Sequence, residues 1–206
     1  METREILQEE QQRKILRGIQ EDSEWLVRMV ENLLSITRID SGKVKISKMP
    51  TVVDELIDSV MMKFKKRYPH QEVSITIPEE ILIVPMDAIL IEQVLFNILE
   101  NAVLHAIDMT KLFLRVMETG SVITFEIQDN GRGINEERLS QIFSGYGIID
   151  TEQHPADGQK HNTGIGLSIC ATIVRAHGGE ISAENVKEGG AVFRFTLRLE
   201  DTNDDK

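Results

Sequence analysis

Cysteine is almost absent: Cys170 is the single thiol in 206 residues, so no intramolecular disulfide forms and a reducing compartment is the expectation. It lies in the apolar stretch 165–174, where buried packing is its expected role. Long hydrophobic runs are missing as well. The longest, residues 81–90, is interrupted by Pro85 and Asp87 and is too short to span a bilayer, and the first residues do not read as a secretory leader. A soluble polypeptide is expected, which leaves room for a membrane-bound parent. Positive charge is in deficit, with a formal net charge of -11. A surface of that sign opposes polyanions unless basic residues gather in a stripe. The nearest candidate, Lys63-Phe64-Lys65-Lys66-Arg67, reads as the solvated face and basic last turn of a helix, so no nucleic-acid partner is expected. Internal repeats are also lacking.

What is present is ordinary for a soluble domain, with 41% hydrophobic and 28% charged residues, and the length suits one cored domain with an appendage. Residues 3–39 hold no proline and only Gly18, and Ile15, Ile19, Leu26, Met29, Leu33 and Ile36 recur at three-and-four spacing, which predicts one long helix. Such a stripe on a single helix calls for helical partners, for instance a second copy of the chain. Asp40-Ser41-Gly42 stops it. A linker with a short extended piece follows to Pro50, and Thr51 is the expected N-cap of a helix reaching Arg67. Strands are expected around Val73, Ile75 and Ile77 and at 81–84, then a long helix capped by Asp87 and running to Ala106. Residues 112–118 and 122–128 predict a hairpin turning at Thr119-Gly120. A short helix at 136–143, a polar loop at 144–162 of the kind that forms lids, a helix from Gly164 to His177 and a closing hairpin around Gly189-Gly190 complete the order. Helices and antiparallel strands without regular alternation predict an α+β, two-layer sandwich.

Several clusters carry chemistry. Asn97 and Asn101, with Glu100 between them, place two amides one turn apart on one side of an apolar helix. Amide oxygens are hard ligands for Mg²⁺, and amide N–H groups bond phosphate oxygens, although bonding to loop backbone would satisfy isolated asparagines equally. Asp129-Asn130-Gly131-Arg132-Gly133 sits where a strand ends. Its glycines permit close backbone approach, and its carboxylate suits an amino group such as that of adenine, while a plain Asn-Gly turn explains the run as well. Asn162-Thr163-Gly164-Ile165-Gly166-Leu167 opens a helix with free N–H groups, a phosphate site without the lysine of a Walker loop. Ile142, Phe143 and Tyr146 offer apolar anchors, or ordinary core.

In combination these clusters are far more specific. Residues 92–102 resemble the N box of histidine kinases, 129–133 the G1 box, 142–146 the F box and 163–167 the G2 box, in family order and spacing. Upstream, Leu26 to Leu34 followed by Arg38-Ile39-Asp40-Ser41-Gly42 is similar to the second helix of the family's dimerisation hairpin. Within the family, His177-Gly178-Gly179 through Arg194 is most similar to the KdpD subfamily of potassium-transport sensors. The resemblance implies residues 1–43 as that second helix, 44–50 as linker, 51–200 as a Bergerat ATP-binding domain and 201–206 as an acidic tail. It implies ATP and Mg²⁺ as cofactors, with Asn97 and Asn101 on the metal and Glu100 in the catalytic set. Asn101 would face phosphate, with His105, Lys160 or His161 standing in for the basic residue that Leu104 replaces, Asp129 would face the adenine amino group, and Gly131, Gly133 and Ile134 the base. Tyr146, Thr163, Gly164, Ile165, Gly166 and Leu167 would shape the lid and the phosphate-side helix start. The implied partners are the phosphoacceptor helix of the same protein, a KdpE-like response regulator and a second subunit, with the parent anchored in the bacterial plasma membrane. The remaining alternatives are another ATPase of the superfamily or a silent nucleotide-binding assembly module.

The chain departs from the family pattern at Leu104, where a basic residue is usual, at Asn162, where glycine is common, and after Tyr146, where the trailing arginine is missing. The largest departure is the acceptor histidine. None of His70, His105, His154, His161 and His177 sits in a helix before an acidic residue and a nearby proline. The chain incubated with labelled ATP and Mg²⁺ is therefore expected to form no acid-labile phosphohistidine, and stable label on a histidine would refute this.

Overall fold

The computed structural model describes residues 46–144 and 165–199, with scattered positions before them (11–13, 15, 16, 18, 19, 23 and 30). Those scattered positions are helical. Ile15, Leu16, Ile19 and Val30 are each more than half exposed there, so the described part of the predicted stripe is uncovered. The rest of the long helix, the lid segment and the acidic tail lie outside the described residues.

The globular part begins with strand β1, Met49–Val52, which pairs antiparallel with β3, Ile83–Met86. Met49 and Pro50 thus belong to the domain rather than to the linker. Thr51 is not the expected N-cap: it lies within β1, and its hydroxyl donates to the Met49 carbonyl at 2.9 Å. Helix α1, Val53–Arg67, starts without a side-chain cap. Its first N–H is satisfied instead by the Leu82 carbonyl at 3.0 Å, so the neighbouring chain does what a capping oxygen would do. Asp54 and Glu55 in its first turn and Lys65, Lys66 and Arg67 in its last complement the helix dipole. Val53, Leu56, Ile57, Val60 and Phe64 form its buried stripe.

The main sheet has the order β2-β4-β5-β7-β6. Edge strand β2, Val73–Thr76, runs parallel to β4, Leu112–Thr119, and the remaining neighbours are antiparallel: β5 is Val122–Asp129, β6 Ile181–Asn185 and β7 Ala191–Arg198. Strand alternation divides the sheet into two faces. Leu112, Leu114 and Val116, Ile123, Phe125 and Ile127, and Phe193, Phe195 and Leu197 are buried in the core. Phe125 and Phe195 stack at 4.7 Å. Helices α1, α2 (Ala88–His105) and α4 (Ile165–Ala176) form the second layer, α2 packing against both others. Short α3 covers Glu136–Leu139 only, and its predicted continuation to residue 143 is a set of turns. Among the described residues α2 is the one helix long and apolar enough to cross a membrane. Ile91, Val94, Leu95, Ile98 and Leu99 show why it is apolar, since they are fully buried in this core.

Asp87 caps α2 as expected, accepting from the Leu90 N–H at 3.3 Å. The Asp87 N–H itself donates to Nε2 of His177 at 3.0 Å, while Nδ1 of His177 lies 2.8 Å from the Ile173 carbonyl. An acceptor at Nε2 and a carbonyl at Nδ1 require the neutral Nδ1–H tautomer. At 3% exposure and with both nitrogens engaged, this histidine serves packing. Cys170 is buried as expected, and burial, opposed by nearby Asn97, pushes its thiol up to about 12.

The opposite face of the sheet carries a transverse ionic row. Arg115, Glu126 and Arg194 are direct neighbours across β4, β5 and β7; Arg115 reaches Glu126 at 2.7 Å, Arg194 reaches it at 2.6 Å, and Arg194 also pairs with Glu184. Burial would raise the Glu126 carboxyl, but hydrogen bonds from Arg194 and Arg115 outweigh it and hold the group below its ordinary 4.5. A depressed folded-state pKa gives stability that is present above the ordinary value and is lost as pH falls through the folded one. Glu126→Gln is therefore expected to flatten the decline of Tm with acidification below about pH 4.5, measured by thermal unfolding, and an unchanged acid limb would contradict the role given to this row.

Candidate functional site

Asp129 closes β5 and pairs with Leu112 in register. Period-two alternation therefore turns its carboxylate toward the helices, on the same face as Ile127 and Phe125. It is 4% exposed. Oδ1 accepts from the Gly131 N–H at 2.8 Å, whereas Oδ2 has no protein partner among the described residues. Asp129 lines a cavity with Asn101, Ala102 and His105 of α2, Ala106 at its C-cap, Gly133 and Ile134 of the loop after β5, and Ala191 and Phe193 of β7.

The loop 130–134 is held on both sides. Asn130 Oδ1 accepts from the N–H groups of Thr110 and Lys111 at 2.9 and 2.7 Å, and the Arg132 N–H donates to the Ile107 carbonyl at 3.1 Å. A Cβ on Gly131 would stand 2.8 Å from that same carbonyl, so glycine here serves a backbone-to-backbone approach. Arg132 also pairs with Asp108 at 2.7 Å, an exposed contact at the end of α2. Asp108 has a φ of 61°.

The structure brings together Asn101, His105, Asp129, Gly133 and Ile134, with Gly131 directly behind. Asn97 lies one turn earlier on the Asn101 side of α2, and its Nδ2 is buried with no hydrogen-bond partner among the described residues. A buried amide nitrogen without an acceptor costs roughly 1–3 kcal/mol; Asn97 sits beside the buried Cys170 thiol and is not among the residues that line the cavity. Leu167 is 8% exposed in the core, and nothing would crowd a Cβ on Gly166. Tyr146, Thr163 and Gly164 lie outside the described residues, and of Ile165 only its helical backbone is described. Ile142 and Phe143 resolve to packing: both pack on the core, and Phe143 meets Phe193 edge-on at 6.4 Å.

Glu100 is not brought to the cavity. It faces α1, where it accepts from the Tyr68 hydroxyl at 2.7 Å and pairs with Arg67 at 2.9 Å. Burial first, then the hydrogen bond to Glu100, pushes the Tyr68 hydroxyl up to about 12, so it remains a donor. Further along the same face Glu92 accepts from Ser59 at 2.9 Å and pairs with Lys63, and Phe96 packs edge-on against Phe64. Glu92, Phe96 and Glu100 are spaced by four, and so are Asn97, Asn101 and His105. One helix thus presents one row to α1 and, through Asn101 and His105 of the other, a wall to the cavity. Motif reading missed Ala102, Ala106, Ala191 and Phe193, and gave Asn185 no role. The small residues had a signal, since Ala102 and Ala106 follow Asn101 by one and five positions on a helix already chosen.

A family model described as "Histidine kinase-, DNA gyrase B-, and HSP90-like ATPase" matches residues 86–201, the segment from the end of β3 past the last strand. The chain belongs to this ATPase family. The sensor protein KdpD of Clostridium acetobutylicum is 36% identical over 97% of the chain, which covers 22% of that protein. KdpD of Escherichia coli is 33% identical over 82% of the chain and 18% of that protein. The chain therefore spans about a fifth of the length of these curated relatives. Among solved structures, the histidine kinase ThkA in complex with the response regulator TrrA aligns with a TM-score of 0.63 and 25% identity, over 85% of this chain and 48% of that one. This is a histidine-kinase-type ATPase domain, similar to KdpD and other sensor kinases.

Substitution of Glu100 separates bracing from catalysis. Glu100→Gln is expected to lower Tm by about 2–6 °C while leaving the dissociation constant for ATP within about twofold of wild type. A selective loss of nucleotide affinity at unchanged Tm would return Glu100 to the site.

Proposed function

We propose that the chain is the catalytic module of a KdpD-like two-component sensor histidine kinase, passing the γ-phosphoryl group of ATP to a histidine carried elsewhere. The observation that carries this reading is the buried Asp129 carboxylate, one oxygen held by the Gly131 N–H and the other open to a cavity shared with Asn101 and His105. A carboxylate accepts from an exocyclic amino group and repels a carbonyl oxygen, which selects adenine over guanine at that point. Gly131, Gly133 and Ile134 would border the base, while Ile165, Gly166 and Leu167 would form the phosphate-side helix start with Thr163 and Gly164, and Tyr146 would belong to the lid.

The residues also fit a hydrated magnesium ion bound with the phosphates. Asn97 and Asn101 would hold it through their amide oxygens. When bound, the ion would neutralise charge on the phosphates during transfer. The chain's own part is positional: α2 sets the two amides one turn apart, Asp129 orients the base, and the core behind them excludes water. His105 is the basic side chain among the cavity-lining residues, and it would face phosphate where Leu104 replaces the usual cation.

Residues 1–43 would supply the second helix of a dimerisation hairpin, the stretch from there to the start of β1 the linker and 201–206 an acidic tail. The partners would be the acceptor helix of the full-length protein, a second subunit and a KdpE-like response regulator. The regulator class draws support from the complex of ThkA with TrrA. A cytoplasmic location of this module beneath a membrane-anchored parent follows from the likeness to KdpD.

Calorimetric titration with ATP and Mg²⁺ tests the site. Asp129→Asn keeps an acceptor for the Gly131 N–H but turns an amide donor toward the adenine amino group, and is expected to weaken binding about ten- to a hundredfold. Equal affinity of variant and wild type would remove the base-reading role of Asp129.

A further inference from the structure

The turn between β6 and β7 presses against the loop that leaves β5. Asn185, the last residue of β6, accepts through Oδ1 from the Ile134 N–H at 2.7 Å and donates through Nδ2 to the Ile134 carbonyl at 2.7 Å. The reciprocal pair fixes the amide orientation, because an N–H demands the oxygen and a carbonyl demands the nitrogen. One side chain thereby gives Ile134 the two bonds that a neighbouring strand would have given, at a point where the chain has already left the sheet.

The same amide fills the space beside Gly133, where a Cβ would stand 2.7 Å from Asn185 Oδ1 and where φ is +80°. Next to it, a Cβ on Gly190 would stand 2.0 Å from the Asp129 carbonyl, and one on Gly189 would stand 3.3 Å from the Gly131 carbonyl. The loop is thus gripped between this turn and the end of α2, to which the Arg132 N–H is bonded through the Ile107 carbonyl. Among the described residues Asn185 is the one hydrogen-bond partner of the Ile134 backbone. Ile134 and Gly133 line the cavity, whereas Asn185 does not.

We infer that Asn185 is a positioning residue for base recognition: its two-point hold on Ile134 sets the wall facing the base and so sharpens discrimination for adenine nucleotides. This rests on the reading of the cavity as an ATP site. Asn185 acts through Ile134 and makes no contact with the base. A residue serving the fold alone would change Tm and weaken all nucleotides alike; a positioning residue changes the preference among bases.

The test titrates the 206-residue chain with ATP and with GTP in the presence of Mg²⁺, with thermal unfolding of the unliganded chain in parallel. Asn185→Ala is expected to weaken ATP about five- to tenfold and to narrow the ATP-to-GTP preference about threefold, with Tm lowered by no more than about 4 °C. Asn185→Asp keeps the acceptor for the Ile134 N–H but sets a carboxylate oxygen against its carbonyl, and is expected to weaken ATP at least as much as alanine. ATP affinity of Asn185→Ala within twofold of wild type, or equal weakening of ATP and GTP, would overturn the inference. Wild-type protein that binds no ATP would overturn the nucleotide reading itself, and this inference with it.

Discussion

A carboxylate held nearly out of water is the constraint around which this domain is arranged. Asp129 occupies a core-facing position in a strand whose other core-facing side chains, Ile123, Phe125 and Ile127, are apolar and buried. A buried carboxylate with a single hydrogen bond is unfavourable unless something polar meets its second oxygen. The surrounding structure supplies the first bond through Gly131 and leaves the second to the cavity. To bring Gly131 there, the loop must approach the end of α2 closely. That approach explains the absence of a side chain at 131, the Arg132 bond to Ile107 and the tight seat of Gly190 against the Asp129 backbone.

Helix α2 couples this site to the rest of the fold. Its apolar face is the core, its Glu92-Phe96-Glu100 row is the seam with α1, and Asn101 and His105 are its contribution to the wall of the cavity. Rotation of the helix by one residue, about 100°, would destroy all three at once. The Glu100 pairing with Arg67 and Tyr68 is therefore informative about orientation: three polar groups packed at one helix crossing define which way the two asparagines point. Hydrophobic packing alone tolerates sliding more readily than a hydrogen-bonded acid with two partners.

Much of this was legible in the chain itself. The 112–128 hairpin, the Asp87 cap, the closing hairpin at Gly189-Gly190 and the burial of Cys170 follow from local signals whose physics is local. Asn101 and Asp129, which the fold brings to one cavity, stood out for a different reason, since polar residues in apolar elements contrast with their surroundings. Thr51 misled because a threonine before an apolar helix has cap chemistry, while the actual donor is satisfied by Leu82, some thirty positions away. Glu100 misled in the same manner: helical spacing placed it near the asparagines in sequence, but its partners lie on α1, whose packing no local window reveals. Asn185 carried no signal of its own, because its role depends on a loop that the sheet order brings beside it.

His177 joins the two helices that flank the site by an unequal connection. Its ring bonds the backbone at the start of α2 from just past the last turn of α4, while at Gly166, in the first turn of α4, none of the described residues would meet an added Cβ. The two ends of α4 are thus held by different means: a hydrogen-bonded ring ties its C-terminal end to the backbone that opens α2, whereas apolar packing of Leu167 and Ile169 seats the described part of its first turns. Loss of the ring would leave the spacing of the two helices to packing, which resists sliding less than a directed hydrogen bond does.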